Sequence, residues 1–320
     1  MATQKKITID PQAQAVIDKL KEFGAKPPRM IPVAESRGGL DAFMEYVRAT
    51  GGVDDVARIE DRKIPGPGGE IPLRIFTPKG GKPVGAIVFL HGGGWVIGGI
   101  SSHDNVCRAF ANGSGCLVVA VDYRLAPEHK FPAAADDSYA ATKWVAENAA
   151  SLGYPAGKLA VVGDSAGGNL TAVVTLMARD HGGPKIAYQM LIYPALDAAM
   201  EAPSQKEFFD DGYFLSGADM VWFWDTYLRS KEDADNPYAS PSRAASLAGL
   251  PPAMVITVGI DPLRDEGEIY AARLIEAGVP TVAVRYEYMI HAVFNMAPIV
   301  DMGKTMTLQA AAAVREALSK

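Results

Sequence analysis

The chain has 320 residues, of which 48% are hydrophobic and 21% charged, so it is long enough for one large domain with an appendage or for two small domains. Its formal net charge of −6 argues against the basic surface of a nucleic-acid-binding protein. The 32 glycines and 22 prolines are spread along the chain, which excludes a collagen-like or low-complexity disordered protein.

Three features bear on where the protein resides. Cys107 and Cys116 are too few for a disulfide framework, and we expect two reduced, buried thiols, with a disulfide between them as the alternative. The segment Met1–Asp10 is polar and lacks the apolar core of a signal peptide. No apolar run approaches the ~20 residues that a membrane-spanning helix needs. These observations predict a cytoplasmic protein without stable membrane insertion.

The N-terminal region predicts two short amphipathic helices ahead of any strand. Asp10 and Pro11 are typical of an N-cap and a first helical position. Apolar residues then recur at helical spacing until Gly24. After a proline-rich break, the same pattern returns between Leu40 and Ala49. Helices of this kind need a surface to cover.

Strands and helices alternate from residue 56 onwards. Two strands, 58–64 and 71–77, flank a glycine- and proline-rich turn, and the apolar run 84–90 is typical of a strand buried on both faces. The expected order then continues with helix 103–112, strand 116–121, helix 133–150, strand 158–163, helix 166–181, strand 186–193, strand 253–259, helix 265–277, strand 281–287 and helix 298–319. This alternation predicts an α/β fold with a doubly wound sheet. The aromatic-rich stretch 197–251 interrupts it, and we expect an insertion at the carboxyl edge of the sheet.

The motif Gly163-Asp-Ser-Ala-Gly167 lies where strand 158–163 meets helix 166–181. In that context Ser165 is expected on a sharp, strained turn, with its hydroxyl at the carboxyl edge of the sheet. The flanking glycines avoid collisions with the neighbouring strand and helix. Because the bare pattern is common, an ordinary glycine-rich turn is the alternative interpretation.

A nucleophilic serine needs a base, and the base needs an orienting acid. Among the five histidines, His291 directly follows the last strand, at the edge where such a sheet places its site. Asp261 follows the penultimate strand in the same way. The order Ser165, Asp261, His291 is the order expected of α/β-hydrolases. For each residue alone, a turn-forming aspartate or a structural histidine is the alternative.

The run His91-Gly-Gly-Gly-Trp95 follows strand 84–90 directly. Consecutive glycines let backbone N–H groups point into a cavity, and acyl transfer needs such donors for its oxyanion. We expect Gly92, Gly93 and Ala166 to form an oxyanion hole. A flexible loop or a phosphate cradle is the alternative, but no Gly-x-Gly-x-x-Gly opens a helix here. The histidines are scattered, so no metal site is expected.

Five segments together resemble the hormone-sensitive-lipase family of bacterial carboxylesterases, bacterial family IV: His91-Gly-Gly-Gly-Trp95, Tyr123-Arg-Leu-Ala-Pro-Glu128, Gly163-Asp-Ser-Ala-Gly-Gly168, Asp261-Pro-Leu-Arg-Asp265 and Ile290-His291. The resemblance runs from about residue 60 to the C-terminus. It implies an α/β-hydrolase fold, with a mostly parallel sheet of about eight strands, helices on both faces and a helical cap. Residues 1–55 would form the N-terminal part of the cap, 56–320 the catalytic domain, and 197–251 a second cap segment.

The same resemblance implies a serine esterase that hydrolyses small acyl esters of short to medium chain length without a cofactor. One departure is visible, because Ala292-Val293 stand where the family usually has Gly-Phe after the histidine. We expect this change to reshape the pocket wall. Four aromatic residues are candidates for lining the pocket, with core packing as the alternative for each: Trp95, Tyr193, Phe214 and Trp222.

Other functions use the same scaffold. A non-catalytic small-ligand-binding protein is one alternative, and an amidase, lactonase or deacetylase with the same triad is another. The predicted last strand, 281–287, could be a sheet edge. A homodimer through this strand is therefore an expectation that the family resemblance also implies.

Overall fold

A computed structural model of the chain describes residues 8–210 and 212–320. The inference drawn from Met1–Asp10 therefore falls almost wholly outside the described residues. The central feature is one eight-stranded sheet with the strand order β1-β2-β4-β3-β5-β6-β7-β8. Its strands are β1 Arg58–Gly66, β2 Gly69–Thr77, β3 Ala86–Leu90, β4 Leu117–Val121, β5 Leu159–Asp164, β6 Tyr188–Ile192, β7 Ala253–Ile260 and β8 Thr281–Ile290.

The sheet is mostly parallel, as expected of an α/β-hydrolase fold. Strand β2 pairs antiparallel with both of its neighbours, β1 and β4. The remaining pairings between β4 and β8 are all parallel. The carboxyl ends of β3, β5, β7 and β8 therefore lie at one edge, which is where the glycine run, the serine, the aspartate and the histidine follow their strands.

Ten α-helices occur within the described residues: α1 Pro11–Glu22, α2 Val33–Gly51, α3 Asp104–Ser114, α4 Ala133–Glu147, α5 Ala149–Leu152, α6 Ala166–Asp180, α7 Pro203–Glu207, α8 Gly217–Tyr227, α9 Arg264–Glu276 and α10 Asp301–Ser319. Asp10 caps α1 as expected, because its side chain accepts from the N–H groups of Gln12 and Ala13. Helix α2 begins at Val33 rather than Leu40. Its first turns carry the exposed Gly38 and Gly39, which interrupt the apolar pattern without interrupting the helix.

The side chains of the sheet alternate between two hydrophobic cores. In β3, Ile87 and Phe89 pack in the core that includes α3 and α10. Val88 and Leu90 pack in the core that includes α4 and α6. All five residues of β3 are buried, as expected for a strand covered by helices on both faces.

The two segments assigned to a cap contact each other. Arg29, ahead of α2, places Nη1 2.7 Å from Oδ1 of Asp219 in α8. The rings of Phe43 and Phe214 lie 6.5 Å apart between centroids. The insertion also contacts the sheet edge, where the Ser204 hydroxyl donates to the carbonyl of Pro262 at 2.8 Å. The division into cap and catalytic domain stays a prediction.

The structure bears on two of the expectations about location, those for the cysteines and for membrane-spanning helices. Cys107 and Cys116 are both free and buried, as expected. Among the residues that the structure describes, no helix combines the length and the apolar character needed to cross a membrane.

Candidate active site

The nucleophile turn has the strained geometry expected from its sequence. Ser165 lies between the end of β5 and the start of α6, with φ of 57°. This left-handed conformation is unusual for a residue with a side chain. A Cβ at Gly163 would overlap the carbonyl of Gly167, and one at Gly167 would overlap the carbonyl of Leu90 in β3. The two glycines let the turn pack directly against backbone.

A continuous hydrogen-bond chain joins the serine, the histidine and the aspartate. His291 Nε2 lies 2.9 Å from Ser165 Oγ, and His291 Nδ1 lies 2.7 Å from Asp261 Oδ2. The adjacent strands β7 and β8 end at residues 260 and 290, so each delivers its side chain to the same point. All three residues are buried, with exposures of 7% for Ser165, 5% for His291 and 0% for Asp261.

The hydrogen-bond pattern suits proton transfer from the serine. Asp261 Oδ1 accepts from the backbone N–H of Leu263 at 2.9 Å, which orients the carboxylate. With its Nδ1–H donated to Asp261, His291 presents the lone pair of Nε2 to the serine hydroxyl. That is the tautomer a general base needs.

A second buried polar group lies beside the nucleophile. Asp164 Oδ1 accepts from the N–H of Gly92 at 3.0 Å, and His103 Nε2 lies 3.2 Å from the same carboxylate. Asn295, in the loop after His291, places Nδ2 3.2 Å from His103 Nε2. Burial acts to raise the pKa of Asp164, but His103, together with His91 and His291, lowers it overall. These hydrogen bonds connect the nucleophile turn, the glycine loop and the loop after His291.

This group corrects one expectation from the sequence. Gly92 is not an oxyanion donor in this structure, because its N–H is directed at Asp164. His103 lies at the N-cap position of α3, where its side chain makes no capping hydrogen bond and faces Asp164. Sequence reasoning missed these partners because 72 and 61 residues separate them from Asp164.

Three other backbone N–H groups are available near the serine. Within the described residues, the N–H groups of Gly93, Gly94 and Ala166 donate to no backbone or side-chain acceptor. Gly93 and Gly94 have φ of 118° and 58°, conformations that glycine adopts readily. Ala166 is the first residue of α6, so its N–H has no partner within the helix. Gly93 and Gly94 follow Gly92, which is bound to Asp164, and Ala166 directly follows Ser165.

A family model described as the alpha/beta hydrolase fold matches residues 87–295. The chain belongs to this family. Carboxylic ester hydrolase LipN of Mycobacterium tuberculosis is 40% identical over 321 residues, which cover 98% of the chain and 84% of LipN. Ethyl acetate hydrolase of Pseudomonas putida is 35% identical over 252 residues, which cover 76% of the chain and 78% of that protein.

The solved structures also include a similar esterase. The hyperthermophilic esterase from the archaeon Pyrobaculum calidifontis superposes with a TM-score of 0.91 at 43% identity, covering 98% of the chain and all of that esterase. The resemblance to hormone-sensitive-lipase-type carboxylesterases is thereby confirmed, and the chain is an α/β-hydrolase that hydrolyses carboxylic esters.

Two of the four aromatic pocket candidates of this α/β-hydrolase are packed in the interior. Trp95 and Tyr193 are fully buried, which agrees with the core packing that the sequence left open as the alternative for each. The indole of Trp95 stacks on Tyr227 of α8, with centroids 4.4 Å apart. Tyr193 packs 4.5 Å from the ring of His291, where it supports the base. Phe214 and Trp222 are partly buried and stay predictions.

Both residues after the histidine, Ala292 and Val293, are buried in a hydrophobic core. Ala292 adopts φ of 63°, a left-handed conformation in which the family's usual glycine is less strained. Val293 is fully buried in the core with Val300. The expected reshaping of the pocket wall stays a prediction.

A separate surface cavity of about 710 Å³ lies beyond the glycine loop, lined by β1, β2, residues 98–101 and Asp122. It does not include the serine, the histidine or the aspartate of the hydrogen-bond chain. One of its lining cations, Arg74, is paired with Asp61 at 2.6 Å. No group of three or more His, Cys, Asp or Glu in residues 8–210 and 212–320 is placed to hold a metal ion.

Proposed function

We propose that the protein is a serine carboxylesterase that acts on short- to medium-chain acyl esters through an acyl-enzyme. The observation that carries this proposal is the buried hydrogen-bond chain from Ser165 Oγ through His291 to Asp261. A serine placed this way has a base within hydrogen-bond reach and an acid that orients the base.

In the proposed mechanism, His291 Nε2 takes the proton of Ser165, whose Oγ attacks the ester carbonyl. The carbonyl oxygen becomes an oxyanion, which accepts hydrogen bonds from the N–H groups of Gly93, Gly94 and Ala166. His291 then protonates the leaving alcohol. Water attacks the acyl-enzyme with His291 as base, and the acid product leaves as the serine is reprotonated. Asp261 holds the tautomer of His291 and stabilises its charged form.

The chain-length preference is inferred from the cap and from one relative. Residues 1–55 and 197–251 are proposed to form a cap over the sheet edge, joined by the Arg29–Asp219 ion pair. Aromatic side chains of this cap, Phe214 and Trp222 among them, would enclose a small acyl group. The Pseudomonas putida relative is named for a two-carbon acyl ester, which supports a short-chain substrate.

The decisive experiment replaces the nucleophile. We expect Ser165→Ala to abolish hydrolysis of p-nitrophenyl butyrate and labelling by a fluorophosphonate, while the circular dichroism spectrum and melting temperature stay close to wild type. Ser204→Ala is a matched control, since its hydroxyl bonds the carbonyl of Pro262 rather than a histidine. Labelling of the Ser165→Ala variant would show that another residue is the nucleophile.

The same assay separates the alternative functions. A non-catalytic binding protein would not be labelled by the fluorophosphonate even as wild type. A series of p-nitrophenyl esters from acetate to laurate, run beside butyryl p-nitroanilide, distinguishes an esterase from an amidase. We expect turnover to be greatest for the shorter acyl chains and to be far slower for the anilide.

A further inference from the structure

Helix α2 of the N-terminal segment is hydrogen-bonded to the loop that carries the glycine donors. Arg37 Nε donates to the carbonyl of Val96 at 2.9 Å. Its Nη2 donates to the carbonyl of Ala126 at 3.1 Å. Ala126 in turn donates its N–H to the carbonyl of Trp95 at 2.8 Å. One guanidinium therefore joins two loops that are already bridged by backbone.

The glycine donors lie between two fixed points. At one end, the N–H of Gly92 is held by Asp164 beside the nucleophile. At the other end, the carbonyl of Val96 is held by Arg37. Gly93 and Gly94 lie between these anchors with positive φ, and glycine backbone is the most permissive in rotation. The carbonyl of Gly93 accepts from the N–H of Val96 at 3.1 Å. The position of Val96 therefore acts directly on the peptide plane that carries the N–H of Gly94.

The guanidinium is itself oriented by a carboxylate. Glu128 accepts from Arg37 Nη1 at 2.9 Å and from Nη2 at 2.8 Å, a two-pronged geometry that only arginine provides. The Arg37 side chain is about one-third exposed and that of Glu128 about one-half, so the ion pair contributes little to folding on its own. What distinguishes Arg37 is its two carbonyl partners.

We propose that Arg37 is a positioning residue, which fixes the oxyanion-donor glycines by holding the carbonyl of Val96. This inference rests on the proposed serine-esterase mechanism, because it concerns the donors of that mechanism. Oxyanion donors act only when they are aimed at the place where negative charge develops. A small displacement of such a loop weakens transition-state binding more than substrate binding, so its loss appears in kcat rather than in KM.

The test compares Arg37→Ala with Arg48→Ala. Arg48 is the matched control, since it lies on the same helix and donates to the same loop, at the carbonyl of Ser101 2.8 Å away, but beyond the glycines. The readouts are kcat and KM for p-nitrophenyl butyrate, the inhibition constant of a butyl trifluoromethyl ketone and the melting temperature. This ketone is attacked by Ser165 Oγ, whose proton passes to His291, and its oxyanion occupies the proposed hole.

We expect Arg37→Ala to lower kcat about tenfold, below the ~10²–10³ of deleting a donor outright, with KM nearly unchanged. Ketone affinity should fall by the same factor as kcat/KM. Millimolar guanidinium should restore part of kcat in Arg37→Ala and none in Arg48→Ala. Glu128→Gln, which leaves both carbonyl bonds in place, should keep most of the wild-type kcat.

Wild-type kcat and ketone affinity in a folded Arg37→Ala variant would overturn the proposal, as would an equal loss in Arg48→Ala. If Arg37→Ala does not fold, Arg37→Lys decides, because lysine keeps the charge beside Glu128 but cannot hold both carbonyls together. A folded Arg37→Lys variant with wild-type kcat and ketone affinity also overturns it. Failure of the serine mechanism would appear separately, as a wild-type enzyme that neither the fluorophosphonate nor the ketone inhibits.

Discussion

Single residues at this site carry out tasks that their neighbours in sequence cannot. Ser165 tolerates a left-handed backbone because Gly163 and Gly167 remove the collisions around it. His291 receives an oriented carboxylate from Asp261 on one side and the serine hydroxyl on the other. Each role depends on a specific atom. A substitution that replaces that atom and keeps the shape of the side chain therefore tests the role directly.

Asp261→Asn should leave the fold intact and lower kcat by roughly 10⁴, as in the serine protease precedent. The amide favours the wrong histidine tautomer, so Nε2 no longer accepts the serine proton. Asp265→Asn is the control, because this carboxylate in the same loop accepts from the N–H of Ser204 at 2.9 Å rather than from a histidine. A stopped-flow or steady-state kcat close to wild type for Asp261→Asn would place the acid elsewhere.

His91 makes the folded protein sensitive to acid. Burial, aided by the nearby His103, lowers the pKa of His91 to about 3 from its ordinary 6.5. Between these values the unfolded chain binds a proton at this position and the native chain does not. Stability therefore falls as pH falls from about 6.5 towards 3, with a slope of at most ~1.4 kcal/mol per pH unit from this residue.

His91→Gln should reduce that acid dependence. The free energy of unfolding in urea is measured at pH 7, 5 and 4 for both proteins. Below pH 6.5 the variant should lose less stability than wild type, and at pH 7 its stability reports only the local packing change. An identical slope in both proteins would contradict the assignment of a buried neutral His91.

At the scale of elements, the strand-turn-helix unit of β5, Ser165 and α6 is held against β3. The close approach is possible because Gly167, in the first turn of α6, has no side chain and Leu90 of β3 presents its carbonyl there. The glycine run follows β3 directly, so the packing that places the serine also places the oxyanion loop. The positions of the serine and of the oxyanion loop thus both depend on how closely α6 approaches β3.

Gly167→Ala should therefore destabilise the protein strongly, at or above the upper end of the ~0.5–3 kcal/mol common for point substitutions. The added methyl group meets backbone, which cannot rotate away. Gly39→Ala is the opposite control, since this exposed position inside α2 has open space around it and alanine favours a helix by about 0.5–1 kcal/mol. Thermal unfolding of both variants should give shifts of opposite sign.

At the scale of the whole molecule, β8 is the last strand of the sheet. Val282 and Tyr288 on it are more than half exposed, and so are Ile269 and Ile275 on α9. Asp10 donates its N–H to the carbonyl of Tyr288 at 3.0 Å, a contact near the carboxyl end of this strand. An exposed edge with apolar neighbours is suited to pairing with a second copy, and we propose a homodimer through β8.

Light scattering after size-exclusion chromatography should give twice the chain mass for wild type and a concentration-dependent decrease for Val282→Lys. A charge placed on this surface would be repeated across a twofold interface and would repel its copy. Ile59→Lys is the control, because Ile59 is an exposed apolar residue on β1, the opposite edge of the sheet. A monomeric wild type, or equal dissociation in both variants, would rule out this interface.

Local patterns in the sequence were enough to predict the order of elements, the parallel sheet and the meeting of Ser165, Asp261 and His291. Apolar runs, glycines and caps act over a few residues, and parallel strands bring their carboxyl ends to one edge whatever their separation in the chain. The five motifs also identified the family, which the comparisons confirmed.

Only the tertiary structure decided which groups face the reaction. The N–H of Gly92 was expected in the oxyanion hole, but Asp164 takes it. For Trp95 the sequence left pocket lining and core packing open, and the insertion buries it against Tyr227. The contact of Arg37 with Val96 spans 59 residues and leaves no local pattern. Such directions depend on side chains that are distant in sequence and adjacent in space. They are therefore settled only when the N-terminal helices, the insertion, the glycine loop and the nucleophile turn pack together.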